Sequence, residues 1–169
     1  MTAEPADTPP LGGPLAIIAG SGDYPPLLAR LAAGRGHAVF VAGLEGAADP
    51  DAFAPSDIQM FRLGQLGRLL EVLRRREIGD LVLLGSLPRP SFSGLRPEAS
   101  TLKYLPHFAR AFKGGDDHLL RGVVEFFEAQ GFRVHGPSAI APELTAQAGA
   151  LGRRTATTEQ KELIQRGFS

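Results

Sequence analysis

One stretch limits the folds open to this chain: Leu15-Ala16-Ile17-Ile18-Ala19-Gly20-Ser21-Gly22-Asp23-Tyr24-Pro25-Pro26-Leu27-Leu28. Its first five residues form an apolar run short enough for a buried strand. Gly20 and Gly22 then break the run, allowing a tight turn and the close approach of a ligand to the main chain. Leu27, Leu28, Leu31 and Ala32 follow at helical spacing. Pro25 and Pro26 suit the first helical turn, where a missing N–H costs little, and Asp23 is the expected N-cap. Strand, glycine turn and helix make the opening unit of a doubly wound α/β sheet. Ligands of such sheets gather at the carboxyl ends of the strands, where free N–H groups of a helix start favour an anion such as phosphate. The plain alternative is a turn that only joins strand to helix.

The remaining chain repeats the alternation. Residues 38–42, 58–63, 80–84 and 132–135 read as further strands, the fourth an unbroken apolar run suited to a sheet covered on both faces. Leu66, Leu69, Leu70 and Leu73 make an amphipathic helix with arginines on its outer face. Leu119, Leu120, Val123, Val124 and Phe127 are the expected buried stripe of another, stopped by Gly131. A helix interrupted at Pro106 is expected over 102–112, and a short one over 142–148. Residues 43–57 read as turns. Residues 149–169 are polar and loosely patterned, a connector. The expectation is an α/β domain over residues 15–148 with a mainly parallel sheet of about five strands.

Composition narrows the function classes. Eighteen basic residues balance eighteen acidic ones, so no global basic field attracts nucleic acid. The absence of cysteine removes disulfides, thiolate metal sites and thiol nucleophiles. Residues 1–14, with Glu4, Asp7 and four prolines, lack the basic-then-apolar order of a secretory signal and read as a disordered leader. No apolar run approaches the roughly 18 residues of a membrane span. A soluble, cytoplasmic protein is expected, with peripheral contact at a membrane surface and homo-oligomerisation left open.

Several residues could carry chemistry. A second glycine-opened loop, Gly85-Ser86-Leu87-Pro88-Arg89-Pro90, follows the fourth strand, and Arg89 could clamp a phosphate bidentately. Asp116 and Asp117 are adjacent carboxylates at a helix start, suited to capping or to holding Mg²⁺ or a hydroxyl. His37, His107, His118 and His135 show no ligand spacing, and no serine sits in a Gly-x-Ser-x-Gly elbow. The third glycine of the dinucleotide fingerprint is replaced by Pro25, which weakens a nicotinamide reading. Glu45, just after the second strand, is the one feature that supports it, since a ribose-binding acid sits about there.

Three pieces, LAIIAGSGDYP from Leu15, GSLPRP from Gly85 and GGDDHLLR from Gly114, resemble the UDP-2,3-diacylglucosamine pyrophosphatases of the LpxI type. Leu95-Arg96-Pro97-Glu98 through Leu102-Lys103 also matches, and the ordered set covers nearly all of residues 15–152. The resemblance implies a Rossmann-like three-layer fold and a Mg²⁺-dependent hydrolase of lipid A biosynthesis in Gram-negative bacteria. That enzyme cleaves the pyrophosphate of UDP-2,3-diacylglucosamine to UMP and 2,3-diacylglucosamine 1-phosphate. It also implies two domains with the lipid substrate between them. This chain answers to the N-terminal one, and the acidic residue most tied to catalysis is expected in the other. Residues 149–169 would then lead toward that second domain, and this chain alone should be nearly inactive. Substrate contacts are expected from Ala19, Gly20, Ser21, Gly22, Asp23, Gly85, Ser86, Arg89, Asp116 and Asp117. Glu98 stands where relatives often carry aspartate, and Ser86 where other polar residues occur. Two readings from other classes stay open: a nicotinamide-dependent dehydrogenase domain, and a non-catalytic assembly module with an exposed apolar patch.

Overall fold

A computed structural model describes residues 12–86, 98, 101, 104, 116–144 and 156–167, with the backbone alone at 116–119 and 165. Five parallel strands form one sheet: β1 (Leu15–Ala19), β2 (Val39–Leu44), β3 (Asp57–Phe61), β4 (Asp80–Leu84) and β5 (Arg133–His135). Their order is β3-β2-β1-β4-β5. The central strand β1 is buried along its whole length, with Ile17 lying between Val41 and Val82. The chain winds outward from β1 in one direction through β2 and β3, then returns to start β4 on its other side. The carboxyl ends of β1 and β4 therefore face the point where the winding reverses, the usual ligand crevice of such sheets.

Strand alternation deals the side chains to two cores. Ala16, Ile18, Phe40, Ala42, Phe61 and Leu81 pack against α2 (Leu66–Arg75) and α3 (Asp116–Ala129). Leu15, Ile17, Ala19, Val41 and Val82 pack against α1 (Tyr24–Gly34) and α4 (Pro137–Ile140). Each fully buried leucine, such as Leu28 on α1 or Leu73 on α2, contributes about 1.5–3 kcal/mol relative to exposure. The result is the expected three-layer α/β/α domain with a parallel sheet.

Element boundaries follow the residues closely at β1 and β4, where strands match the apolar runs. Elsewhere they shift. The second strand runs to Leu44 and the third ends at Phe61, because Leu63 opens a 3-10 turn (Leu63–Gln65) that leads into α2. The turn-rich segment before β3 holds a 3-10 turn, Pro50–Phe53, capped by the Asp49 side chain and buried through Phe53. Of the short helix expected over 142–148, residues 145–148 lie outside the described residues, and α4 precedes the described part. Ala141 turns extended before Pro142, as pre-proline residues prefer, and a 3-10 turn (Pro142–Leu144) follows.

The stripe reading is corrected. The buried stripe of α3 runs through Val123, Phe126 and Phe127, and Leu120 is exposed. Leu120 lies two turns above Phe127, and β5, only three residues long, offers no sheet beneath it. The expected connector contains a helix, α5 (Thr158–Gly167). Its start is a capping box: Gln160 N–H donates to Thr157 Oγ1 at 3.3 Å, and Thr157 N–H donates to Gln160 Oε1 at 3.0 Å. The helix expected over 102–112 lies outside the described residues apart from Tyr104. Of the expected leader, residues 1–11 lie outside them too, whereas Gly12 is tied to the sheet.

That tie belongs to a buried ionic cluster at the edge opposite the crevice. Asp80, 1% exposed, is the first residue of β4. Arg133 grips its carboxylate with two hydrogen bonds of 2.8 Å, and the Gly12 N–H donates to it at 3.0 Å. His135 Nε2 lies 2.7 Å from its Oδ1. Burial pushes the Asp80 pKa up. The hydrogen bonds from Arg133, His135 and Gly12, together with the Arg133 charge, outweigh burial and hold it below the usual carboxylate value. His135 is thus a satisfied core histidine.

Candidate functional site

The carboxyl ends of β1 and β4 carry the two glycine loops, and the structure joins them. Ser21 N–H donates to the Ser86 carbonyl at 2.9 Å, Ser86 N–H donates to the Ser21 carbonyl at 3.0 Å, and the Ser21 hydroxyl adds a bond of 3.1 Å to that Ser86 carbonyl. Gly20 N–H donates to the Leu84 carbonyl at 2.9 Å. Two glycines permit this approach. A Cβ on Gly20 would strike the Ser86 carbonyl, and one on Gly85, at φ +98°, would lie 2.8 Å from Gly20 main chain.

Gly22 plays a different part. Its φ is +107° and nothing lies within 4 Å of where a Cβ would stand. It is the glycine of this loop that faces open space. Beyond it, Asp23 does not cap α1 through its side chain, contrary to expectation. Its backbone is already in the helical region (φ −84°, ψ −18°), away from the extended geometry that N-cap side chains use. Tyr24, at the first helical position, is 61% exposed. Pro25 and Pro26 occupy the first turn and are buried, with Pro25 packed against Gly85.

This geometry revises the expected anion wall. A helix start ordinarily offers four unbonded N–H groups. Here Pro25 and Pro26 remove two of them. The amides of Gly20, Ser21 and Ser86 are spent in the loop–loop bridge. Among the described residues, the amides of Gly22, Asp23 and Tyr24 at the start of α1 are left without a partner. Pro25, where the dinucleotide fingerprint has its third glycine, fills the space below. The nicotinamide reading thereby loses the pyrophosphate seat it needs. Glu45 does follow β2 directly, but it pairs with Arg62 at 3.5 Å across the β2–β3 edge.

The other expected residues are placed in part. Ala19 ends β1 beneath the bridge, fully buried. Asp116 and Asp117 open α3, whose first turn the topology puts at the same edge of the sheet as the glycine loops. Arg89 lies outside the described residues. Glu98 is brought to the site's flank: its carboxylate accepts from Gln65 Nε2 at 2.9 Å, and its N–H donates to the Gly64 carbonyl at 3.0 Å. Thr101, buried, donates to that Gly64 carbonyl at 2.8 Å and accepts from Gly67 N–H at 3.2 Å. The crossing from β4 to α3 is thereby pinned to the start of α2. Sequence reading gave no role to Tyr24, Gln65 or Thr101. Only Tyr24, an aromatic beside a glycine turn, carried a signal. Among the described residues no three histidine or carboxylate side chains stand together as a metal cage. No helix of the described residues is long and apolar enough to cross a membrane.

Sheet order, winding and crevice define a Rossmann-like α/β domain with its candidate site at the reversal point between β1 and β4. The LpxI N-terminal domain model matches residues 14–144, and the chain belongs to that family. It is 35% identical over 156 residues to the UDP-2,3-diacylglucosamine pyrophosphatase LpxI of Caulobacter vibrioides. That match covers 91% of this chain and 55% of the relative, so the chain spans about half of the relative's length. Among solved structures, UDP-glucose 4-epimerase from Brucella ovis in complex with NAD superposes with a TM-score of 0.44 at 16% identity. It covers 69% of this chain and 33% of the epimerase, a likeness too loose to carry any argument about function.

Proposed function

We propose that this chain is the N-terminal, nucleotide-side domain of a UDP-2,3-diacylglucosamine pyrophosphatase, releasing UMP and 2,3-diacylglucosamine 1-phosphate in lipid A biosynthesis. The observation that carries the reading is the family match across residues 14–144, joined to 35% identity over 91% of the chain. The matched region contains both glycine loops and the start of α3, so the site edge falls inside the shared part. The spent amides and the Pro25 plug favour this reading over a nicotinamide dehydrogenase.

Cleaving a pyrophosphate requires charge neutralisation, a positioned water and a grip on both phosphates. The described residues offer main-chain amides for part of the grip and no evident base for the water. Mg²⁺ is proposed as a cofactor of the whole enzyme, with its ligands drawn at least partly from outside the described residues. Peripheral contact with the inner membrane would suit an acylated substrate.

The test is to incubate the purified chain with UDP-2,3-diacylglucosamine and Mg²⁺ and measure UMP. A parallel sample joins it to the C-terminal part of the Caulobacter relative. The chain alone should release almost no UMP, because members of a catalytic constellation act as a unit. The joined protein should release UMP and lose that activity on chelation. A silent joined protein, or thermal stabilisation by NAD and not by UMP, would reject the assignment.

A further inference from the structure

The sheet ends on β3, whose main chain has a definite outward set. Among the described residues β3 is the outermost strand on its side and pairs with β2 alone. Glu45 N–H donates to the Phe61 carbonyl at 2.9 Å, so Phe61 turns its main-chain groups toward β2. In a parallel ladder successive residues point those groups alternately to either side. Asp57 and Gln59 therefore face β2 like Phe61, while Ile58 and Met60 face away from the sheet. Their side chains do not cover that edge. Both reach back over Gly43 of β2, where a Cβ would collide with Met60 and crowd Ile58. Exposed edges are ordinarily guarded by lysine, proline or a bulge. β3 holds an unbroken register with none of these, and its middle residues Ile58, Gln59 and Met60 are uncharged and half-buried. Its charges stand at the two ends and are opposite in sign. Asp57, exposed beside its partner Arg76, opens the strand. Arg62, 71% exposed and held to Glu45 only at 3.5 Å, follows its last residue.

We propose that β3 pairs antiparallel with β3 of a second copy of this chain, about a two-fold axis at Gln59. Such an interface uses the same patch on both copies and closes as a dimer. The register follows from the outward groups. Ile58 stands opposite the partner subunit's Met60, and each such pair exchanges both of its N–H···O bonds. Gln59 meets the partner subunit's Gln59 in the closer position between them, where no main-chain bond forms and side chains touch. The Ile58 and Met60 side chains of both copies share one face of the joined sheet, apolar beside apolar. The Asp57 end of each strand meets the Arg62 end of the other, so the end charges favour this direction. A parallel pairing would set like ends together. β2 and β1 separate this edge from the crevice at β4, so the dimer leaves the candidate site of each copy open.

The full chain is measured by sedimentation equilibrium as wild type, Gln59→Lys and Gln59→Glu, each checked for fold by circular dichroism. One short edge makes a small interface, so the wild type should dimerise weakly, with a Kd of about 10–100 μM. Each variant sets like charges directly opposite and should raise the Kd about fivefold or more. An equimolar mixture of the two should return to within about threefold of the wild-type value, because lysine then faces glutamate. Amide exchange at Ile58 and Met60 should slow as the wild-type concentration rises, while Gln59, already bonded to β2, should not change. A wild type still monomeric at about 1 mM, a Kd that neither substitution moves, or a mixture no tighter than its components would each overturn the proposal. Exchange at Ile58 and Met60 that ignores concentration would put any dimer on another face and overturn it as well. That readout needs only the wild type, so it decides the matter even where a variant fails to fold.

Discussion

Ser21 gives both its main-chain N–H, at 2.9 Å, and its hydroxyl, at 3.1 Å, to the carbonyl of Ser86. These residues are 65 positions apart, yet the bridge fixes the two loops that rim the crevice as one unit. Its cost is that the amides used to close the rim cannot also bind a ligand. Loop rigidity and ligand grip compete for the same donors, and here the amides of Gly20, Ser21 and Ser86 go to rigidity.

Gly85→Ala should break the rim. The new Cβ would sit 2.8 Å from both Gly20 main chain and the Ser21 carbonyl, at a backbone φ of +98°. Overpacking and the left-handed backbone together predict a loss of about 2–4 kcal/mol in urea unfolding. Ser21→Ala removes only the hydroxyl bond and should cost less than about 1 kcal/mol, because the paired amide bonds remain. Equal losses in the two variants would disprove the bridge geometry.

Gly22→Ala separates backbone strain from crowding. Nothing obstructs the new methyl group, so the cost should be the φ of +107° alone, about 1–2 kcal/mol by chemical denaturation. A neutral substitution would show that this turn is not held in the left-handed region.

Asp80→Asn should lower stability by about 1–3 kcal/mol at neutral pH, since Arg133 and the Gly12 amide lose a charged acceptor. The pH dependence has a definite sign. Asp80 titrates below its ordinary value of 3.8 in the folded protein, so near that pH the unfolded chain binds more protons. The Asp80 contribution is therefore fully present above the unfolded value and drains away as pH falls through the folded one. Thermal melts between pH 2.5 and 6 should show a steeper acid limb for the wild type than for Asp80→Asn.

Thr101→Val should free the crossing segment from α2. It removes a buried donor to the Gly64 carbonyl and the acceptor of the Gly67 amide, a loss of about 1–3 kcal/mol. Amide exchange at Gly67 should accelerate, and Thr101→Ser should recover most of the protection. Unchanged Gly67 exchange in the valine variant would contradict the pinning role.

Thr157→Ala tests whether α5 stands by its own cap. The loss, about 0.5–2 kcal/mol, should fall on the helix alone, because its apolar residues Leu163 and Ile164 are exposed. Exchange over 158–161 should quicken with no shift in the global unfolding midpoint. A matching global shift would mean that the helix packs on the domain.

How much of this was legible in the residues depends on distance along the chain. β1 and β4 could be bounded to the residue, because a strand buried on both faces is a bare apolar run. The capping box of α5 was also there to read, as Thr157 and Gln160 three positions apart. Hydrophobic periodicity, the stronger signal, is weak in that helix and masks its start. The glycines at 20, 22 and 85 were legible as turns, and the motif order carried the family.

Local sequence thus determined the strands, the helix-starting turns and the α/β class, since each rests on the conformational preferences of neighbouring residues and on burial patterns of period two or 3.6. Only the tertiary structure decided the partners. It set Asp80 against Arg133 and His135, 53 and 55 residues away, and turned a charge at a strand start into a buried clasp. It packed Gly20 on Gly85 while leaving Gly22 open, so that three similar glycines acquired two different uses. Hydrogen-bond donors are shared out by what lies within about 3 Å in space, and sheet order, which no local pattern encodes, settles which loops come that close.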